Sequence, residues 1–163
     1  IHVSEIFSVD ENADNEQKII ALLIRVDTIP AALVLAQAAN ESAWGTSRFA
    51  REGNNYFGQW CFKKGCGLVP KGRNDGALHE VRKFDSAKGS VKSYFRNINT
   101  HRAYSGLRDI RAQARARGEI VTGTLLADGL LNYSERGEHY VNEIKSMIRY
   151  NKLDHFQGKP TIN

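Results

Sequence analysis

The stretch "AANESAWGTSRFAREGNNYFGQWC", Ala38–Cys61, decides the reading. Small helix-forming residues run into one glutamate, Glu41, then Trp44 and Gly45, after which asparagines and aromatics give a turn-rich texture. While a helix lasts, Glu41 shares a face with Trp44, three residues on, and with Val34, seven residues back. Apolar neighbours and the negative end of the helix dipole both disfavour the carboxylate anion. The spacing therefore predicts a glutamate that keeps its proton and serves as a general acid. An exposed helix-end glutamate is the ordinary alternative.

Working outward, Pro30 suits the first turn of a helix over 31–43, with Leu33, Val34 and Leu35 as core candidates. Gly45 should end it, and Thr46 should cap a short third helix reaching Glu52. Earlier, Glu16 to Arg25 carries Ile19, Ile20, Leu22, Leu23 and Ile24, which predicts a buried helix packed on more than one side. Residues 57–85 read as a β-rich insertion. In it "ALHEVRKF", Ala77–Phe84, alternates like a strand that includes Leu78, with a partner around Gln59 to Phe62. Asp85 or Ser86 should cap a helix reaching Ile98, on which Val91, Tyr94, Phe95 and Ile98 share a face. Further helices are expected over 104–117, 122–131 and 137–150. The sum is a single, mainly α domain spanning 1–163, with one small β-hairpin lobe.

At 163 residues the chain is long enough to bury a core without staples, and no apolar run approaches a membrane span of about 20 residues. It begins at Ile1 without a basic, apolar leader, so any export signal or anchor is expected to have been removed or left out. The net charge of +5 favours a polyanion: nucleic acid, anionic lipid or bacterial wall. In "RDIRAQARARG", Arg108, Arg111 and Arg115 share one helical face. That reads as a solvated face first and an anion-docking surface second, because no aromatics interleave as base-stacking platforms would. Cys61 and Cys66 admit three states. A small disulfide loop leads and would imply an oxidising compartment; two free thiols come next. Zinc needs about four ligands and finds only His79 nearby among the histidines.

"ESAWGTSRFAREGNNYFGQW" resembles the active-site motif of the glucosaminidase family of peptidoglycan hydrolases, E-S-x-W-G-x-S, a spacer, then G-N-N-x-F-G-x-W. "WCFKKGCGLVP" is similar to its Bax-like bacterial branch. The likeness is dense from Gln37 to Trp60 and thinner as far as Tyr150. It implies a lysozyme-like α+β fold that hydrolyses the β-1,4 bond following N-acetylglucosamine in glycan strands. Glu41 matches the family's acid, which protonates the leaving oxygen as positive charge grows at the anomeric carbon. Trp44, Asn55, Phe57 and Trp60 match substrate-cleft positions, although Trp44 and Phe57 serve equally as core. Asn54 and Asn55 are expected above all to hold the turn by local backbone bonds.

Glu80 matches the family's second glutamate, as base for an inverting water or as electrostatic support. The bland alternative is a surface strand glutamate. Carboxyl groups about 6.5–9.5 Å apart would suit inversion and about 5 Å a covalent route, while attack by the substrate's own acetamide would make Glu80 dispensable. In "LLNYSERGEHYVNEIKSMI", Tyr133 matches a tyrosine that orients the acetamido group, and Tyr140 a second one suited to packing. Family members often follow the first tyrosine with alanine, threonine and aspartate. Here Ser134, Glu135 and Arg136 follow, so Glu135 receives no role.

No cofactor is expected, since nothing resembles a phosphate or calcium loop and the five histidines are scattered. The expected partner is the peptidoglycan glycan strand, met by a monomer in the bacterial cell envelope, periplasmic or exported. Rival readings are a lytic transglycosylase, whose G-A-x-G-x-x-Q-like stretch is missing, and a non-catalytic wall-binding or nucleic-acid-binding module, which needs no desolvated acid.

Overall fold

The computed structural model describes residues 3–156, so the single-domain reading of 1–163 extends past them at both ends. The architecture is mainly helical with one small antiparallel sheet, as the sequence predicts. Two compact units divide the chain, one made of residues up to Ala36 and from Arg96, the other of Gln37–Phe95.

In the first unit, α1 (Val3–Ile6) precedes α2 (Asn15–Arg25). Asp14 opens α2 with a capping box: its carboxylate accepts from the Gln17 amide at 2.8 Å, and Gln17 Oε1 accepts from the Asp14 amide at 3.4 Å. The expectation of a helix buried on several sides fails. No residue of α2 is fully buried, and Ile19, Ile20 and Leu23 are exposed.

Polar bonds tie α2 down instead. Arg25 donates to the carbonyls of Phe7 and Ser8, and Arg111 reaches the Ile24 carbonyl at 2.8 Å. Arg111 lies in α6 (Ser105–Ala116) and is 1% exposed; it also donates to the Thr28 carbonyl and to Asn99 Oδ1 and faces the Asp27 carboxylate at 3.5 Å. Arg108, also buried, donates to the carbonyls of Ile98 and His101. The solvated arginine face is therefore corrected. Two of its three members are internal struts that cap carbonyls left open where other segments end, and only Arg115 is exposed, paired bidentately with Asp27.

Around these struts lies an apolar core. Leu33 comes from α3 (Ala31–Ser42), Ile98 from α5 (Ala87–Thr100), and Leu107 and Ala114 from α6. Leu126 of α7 (Gly123–Ala127) and Tyr140, Ile144 and Ile148 of α8 (Glu138–Tyr150) complete it, each without exposed surface. Of the core candidates on α3, Leu33 is buried, Val34 partly so, and Leu35 faces out. Close approach is enforced at Gly129, where a Cβ would lie 2.2 Å from the Leu107 Cα.

The second unit contains the last residues of α3, then α4 (Arg48–Gly53) and the sheet. Ser47, not Thr46, caps α4, its hydroxyl accepting from the Ala50 amide. Strands β1 (Trp60–Cys61), β2 (Gly67–Leu68) and β3 (Glu80–Arg82) pair in the order β1-β3-β2. The central strand is shorter than the alternation suggested, and Leu78 precedes it, exposed. Besides the expected partner near Gln59 to Phe62, β2 adds a second edge. Ser86 caps α5, as one of the two expected caps, by accepting from the Gly89 amide.

Candidate active site

Helix α3 ends at Ser42, one residue after Glu41. Ser42 is buried; its hydroxyl donates to the Ala38 carbonyl (2.6 Å) and accepts from the Gly45 amide (2.7 Å), closing the helix onto the next turn. Ala43, Trp44 and Gly45 then take left-handed backbone in succession, with φ of 51°, 56° and 78°. For alanine and tryptophan this costs about 1–2 kcal/mol each, and strain of this kind collects where function demands a set geometry. It also corrects the reading of a shared helical face. Trp44 lies beyond the helix and is 62% exposed, so it does not cover Glu41 in the i, i+3 manner.

Glu41 is partly buried. Across from it runs the turn after α4. A Cβ on Gly58 would lie 3.4 Å from Glu41 Oε2, and Gly58 has φ +63°, so glycine there both permits the turn and leaves room beside the carboxyl.

Asn55 builds that turn. Its side-chain amide donates to the carbonyls of Gln59 (2.9 Å) and Arg82 (2.8 Å), and its carbonyl accepts from the amides of Phe57 and Gln59. With 1% exposure and its donors committed, Asn55 positions the loop and offers nothing to a sugar. Asn54 caps α4 in left-handed conformation and donates to the Phe84 carbonyl. Phe57 is buried and stacks on Tyr94 with centroids 4.2 Å apart, while the Tyr94 hydroxyl donates to Gln37 Oε1. Phe57 is thus floor rather than wall. Trp60 is 57% exposed and stacks on His79 at 4.1 Å, a pairing with no sequence signal beyond the alternation of β3.

Glu80 is not the surface strand glutamate of the bland alternative; it is 5% exposed. Cys61 and Cys66 form a disulfide, and Cys61 stands opposite Glu80 in the β1–β3 register. Within the loop they close, the Gly65 amide donates to Glu80 Oε1 (2.9 Å), and just beyond it Gly67, the first residue of β2, donates its amide to Oε2 (2.8 Å). The Gly65 and then the Gly67 amide hold the carboxyl below the ordinary glutamate range, against the opposing effect of burial and with help from the Arg73 charge and the Cys66 amide. Both thiols being joined, Cys61, Cys66 and Glu80 do not form a metal centre despite their proximity.

In the first unit, Tyr133 is partly exposed and stacks on Tyr140 with centroids 5.3 Å apart, and Tyr104 packs at 5.6 Å on its ring. Tyr140 has no exposed surface and lies under the Arg136 guanidinium, so it supports Tyr133 and does not reach solvent.

A sequence profile described as glucosaminidase, mannosyl-glycoprotein endo-beta-N-acetylglucosaminidase, matches residues 17–153. The chain belongs to the glucosaminidase family. The chain is also similar to protein Bax of Escherichia coli, with 43% identity over 131 residues, which cover 80% of the chain and 46% of Bax. It spans about half the length of that relative. No solved structure matches it. A disulfide fits an exported protein, and among the described residues no helix is long and apolar enough to cross a membrane.

Proposed function

We propose that this glucosaminidase is an endo-β-N-acetylglucosaminidase that hydrolyses the β-1,4 bond after N-acetylglucosamine in peptidoglycan, as a monomer in the bacterial envelope or periplasm, the whole of 1–163 serving as one catalytic domain. The observation that carries this reading is the Glu41 carboxyl at the end of α3, facing the side-chain-free Gly58. A glycosidic oxygen needs a proton while its anomeric carbon gains positive charge. We assign that proton to Glu41, which stands partly buried at the end of α3.

Glu80 complements it as the fixed anion. A carboxylate already accepting two backbone N–H bonds is a weak base, so its role is to stabilise the oxocarbenium-like cation electrostatically. Tyr133, braced by Tyr140 and Tyr104, orients the acetamido group. Trp44 and Trp60, both exposed, offer their faces to sugar rings, while Asn55 and Phe57 hold the turn between them.

The test is Glu41→Gln on purified peptidoglycan. Loss of turbidity clearance with retained sedimentation on the polymer is expected, and full clearance would refute the assignment. Products of the wild-type enzyme should carry reducing ends that borohydride labels, which a transglycosylase would not leave.

A further inference from the structure

Glu80 and the Cys61–Cys66 loop are joined at three points. Cys61 pairs with Glu80 across the sheet, and the bridge returns the chain at Cys66, which sits between the two glycines whose amides bind the carboxylate. Gly67 is fitted to this approach, because a Cβ there would lie 2.0 Å from the Val81 carbonyl oxygen. Gly65 turns with φ +81°, a conformation that favours glycine.

We propose that Cys61 and Cys66 are positioning residues for hydrolysis: their disulfide holds the Gly65 and Gly67 amides on Glu80 and so fixes the place and the charge of that carboxylate. The proposal rests on Glu80 acting as the second carboxylate. Opening the bridge by a dithiol breaks the S–S bond, adds two electrons and two protons to give two thiols, and leaves the reductant as its own disulfide. The loop then regains conformational freedom and its amides leave. Glu80, still enclosed, loses the donors that offset its desolvation, and its proton affinity rises.

Few other charges act on the group. Arg73 is the cation whose field reaches it. Lys63 and Lys64 ride exposed on the loop itself. Its strand neighbours point elsewhere, His79 onto the Trp60 ring and Arg82 over the Phe84 ring.

Carboxyl-carbon NMR of glutamate-labelled protein tests this, the Glu80 signal being assigned by its disappearance in Glu80→Gln. The oxidised protein should titrate below ordinary glutamate, the dithiothreitol-treated protein higher, and reoxidation should restore the first value. Cys61→Ser combined with Cys66→Ser should match the reduced form. In turnover, the acid limb of the wild-type pH profile should move upward on reduction, while any residual rate of Glu80→Gln should ignore the reductant. An unchanged Glu80 titration in folded, reduced protein overturns the proposal.

Should reduction unfold the chain, hydrogen exchange in the oxidised protein decides. The Gly65 and Gly67 amides should exchange slowly at neutral pH and faster in Glu80→Gln, and equal rates in the two overturn it. Neither NMR readout needs turnover, so a failed Glu41 assignment shows separately, as clearance by Glu41→Gln with the Glu80 titration unaffected.

Discussion

Replacing Arg111 with methionine should destabilise the fold by about 3–5 kcal/mol, the range for removing one partner of a buried charge pair. The structure reaches a similar figure independently. Counting only the two shortest bonds, to the Ile24 carbonyl and Asn99 Oδ1 at 2.8 Å each, the variant leaves two acceptors without a donor. Each unsatisfied buried acceptor costs about 1–3 kcal/mol. Methionine fills similar volume, so a cavity adds little.

Arg111→Lys keeps the charge but offers one ammonium in place of a planar fork, and should fall between the variant and the wild type. Urea unfolding followed by far-ultraviolet circular dichroism suits the measurement, because both tryptophans, Trp44 and Trp60, lie outside the unit that Arg111 ties together. A loss below about 1 kcal/mol for methionine would mean that the guanidinium binds nothing of consequence, since surface changes rarely exceed about 0.5 kcal/mol. The arginine face would then be solvated after all.

Three further outcomes follow from named contacts. Gly58→Ala and Gly76→Ala both force alanine into left-handed backbone, φ +63° and +83°, and each should lose about 1–2 kcal/mol; only Gly58→Ala brings a methyl into contact with Glu41 Oε2, since nothing lies within 4 Å of a Cβ at Gly76. Peptidoglycan clearance should therefore fall in the first alone, and equal effects in the two would remove Gly58 from the site. Burial pushes the Asp27 carboxyl up, but the Arg115 hydrogen bond, the Thr28 amide and the Arg111 and Arg115 charges together hold it below the ordinary aspartate range. Its contribution to stability is present above the unfolded pKa of about 3.9 and is lost as pH falls through the depressed folded value, so the stability gap between wild type and Asp27→Asn should narrow in acid. A gap that stays constant from neutral to strongly acidic pH would show that Asp27 is not held as an anion. Gly129→Ala places a Cβ 2.2 Å from the Leu107 Cα, where no side chain can swing aside, and should cost about 3 kcal/mol or more in thermal or urea unfolding; a near-neutral variant would show that the backbones can separate there.

Helix positions were readable because local signals agreed with tertiary need. Pro30 opens α3, Ser86 caps α5, and the glycine-rich stretch becomes the sheet. Thr46 and Ser47 are chemically alike, so only the geometry of the left-handed turn selected the second as cap. The arginines of α6 misled for a deeper reason. Charge counted along one helix face takes solvent as its partner, whereas Arg108 and Arg111 find theirs in carbonyls at the ends of distant segments, such as Ile98 and Ile24. Helical periodicity on α2 misled in the opposite direction, since it marks apolar residues and not whether anything lies against them, and Ile19, Ile20 and Leu23 remain exposed.

The two carboxylates divide along the same line. Residue type and spacing pick out Glu41 as a candidate, but Trp44 could keep it dry only on a helix running on to Trp44, and α3 stops at Ser42. Close to its Oε2 runs Gly58, in a turn that Asn55 holds by backbone bonds, the role expected of it above all. Glu80 shows the converse. Alternation put it on a strand, yet its charge is governed by the amides of Gly65 and Gly67, which flank a disulfide cysteine that precedes it in the chain and lies beside it in space. A sequence names the groups that can donate or carry a proton; which of them does so is decided by N–H groups that every residue possesses, and these become specific only when the backbone is folded around them.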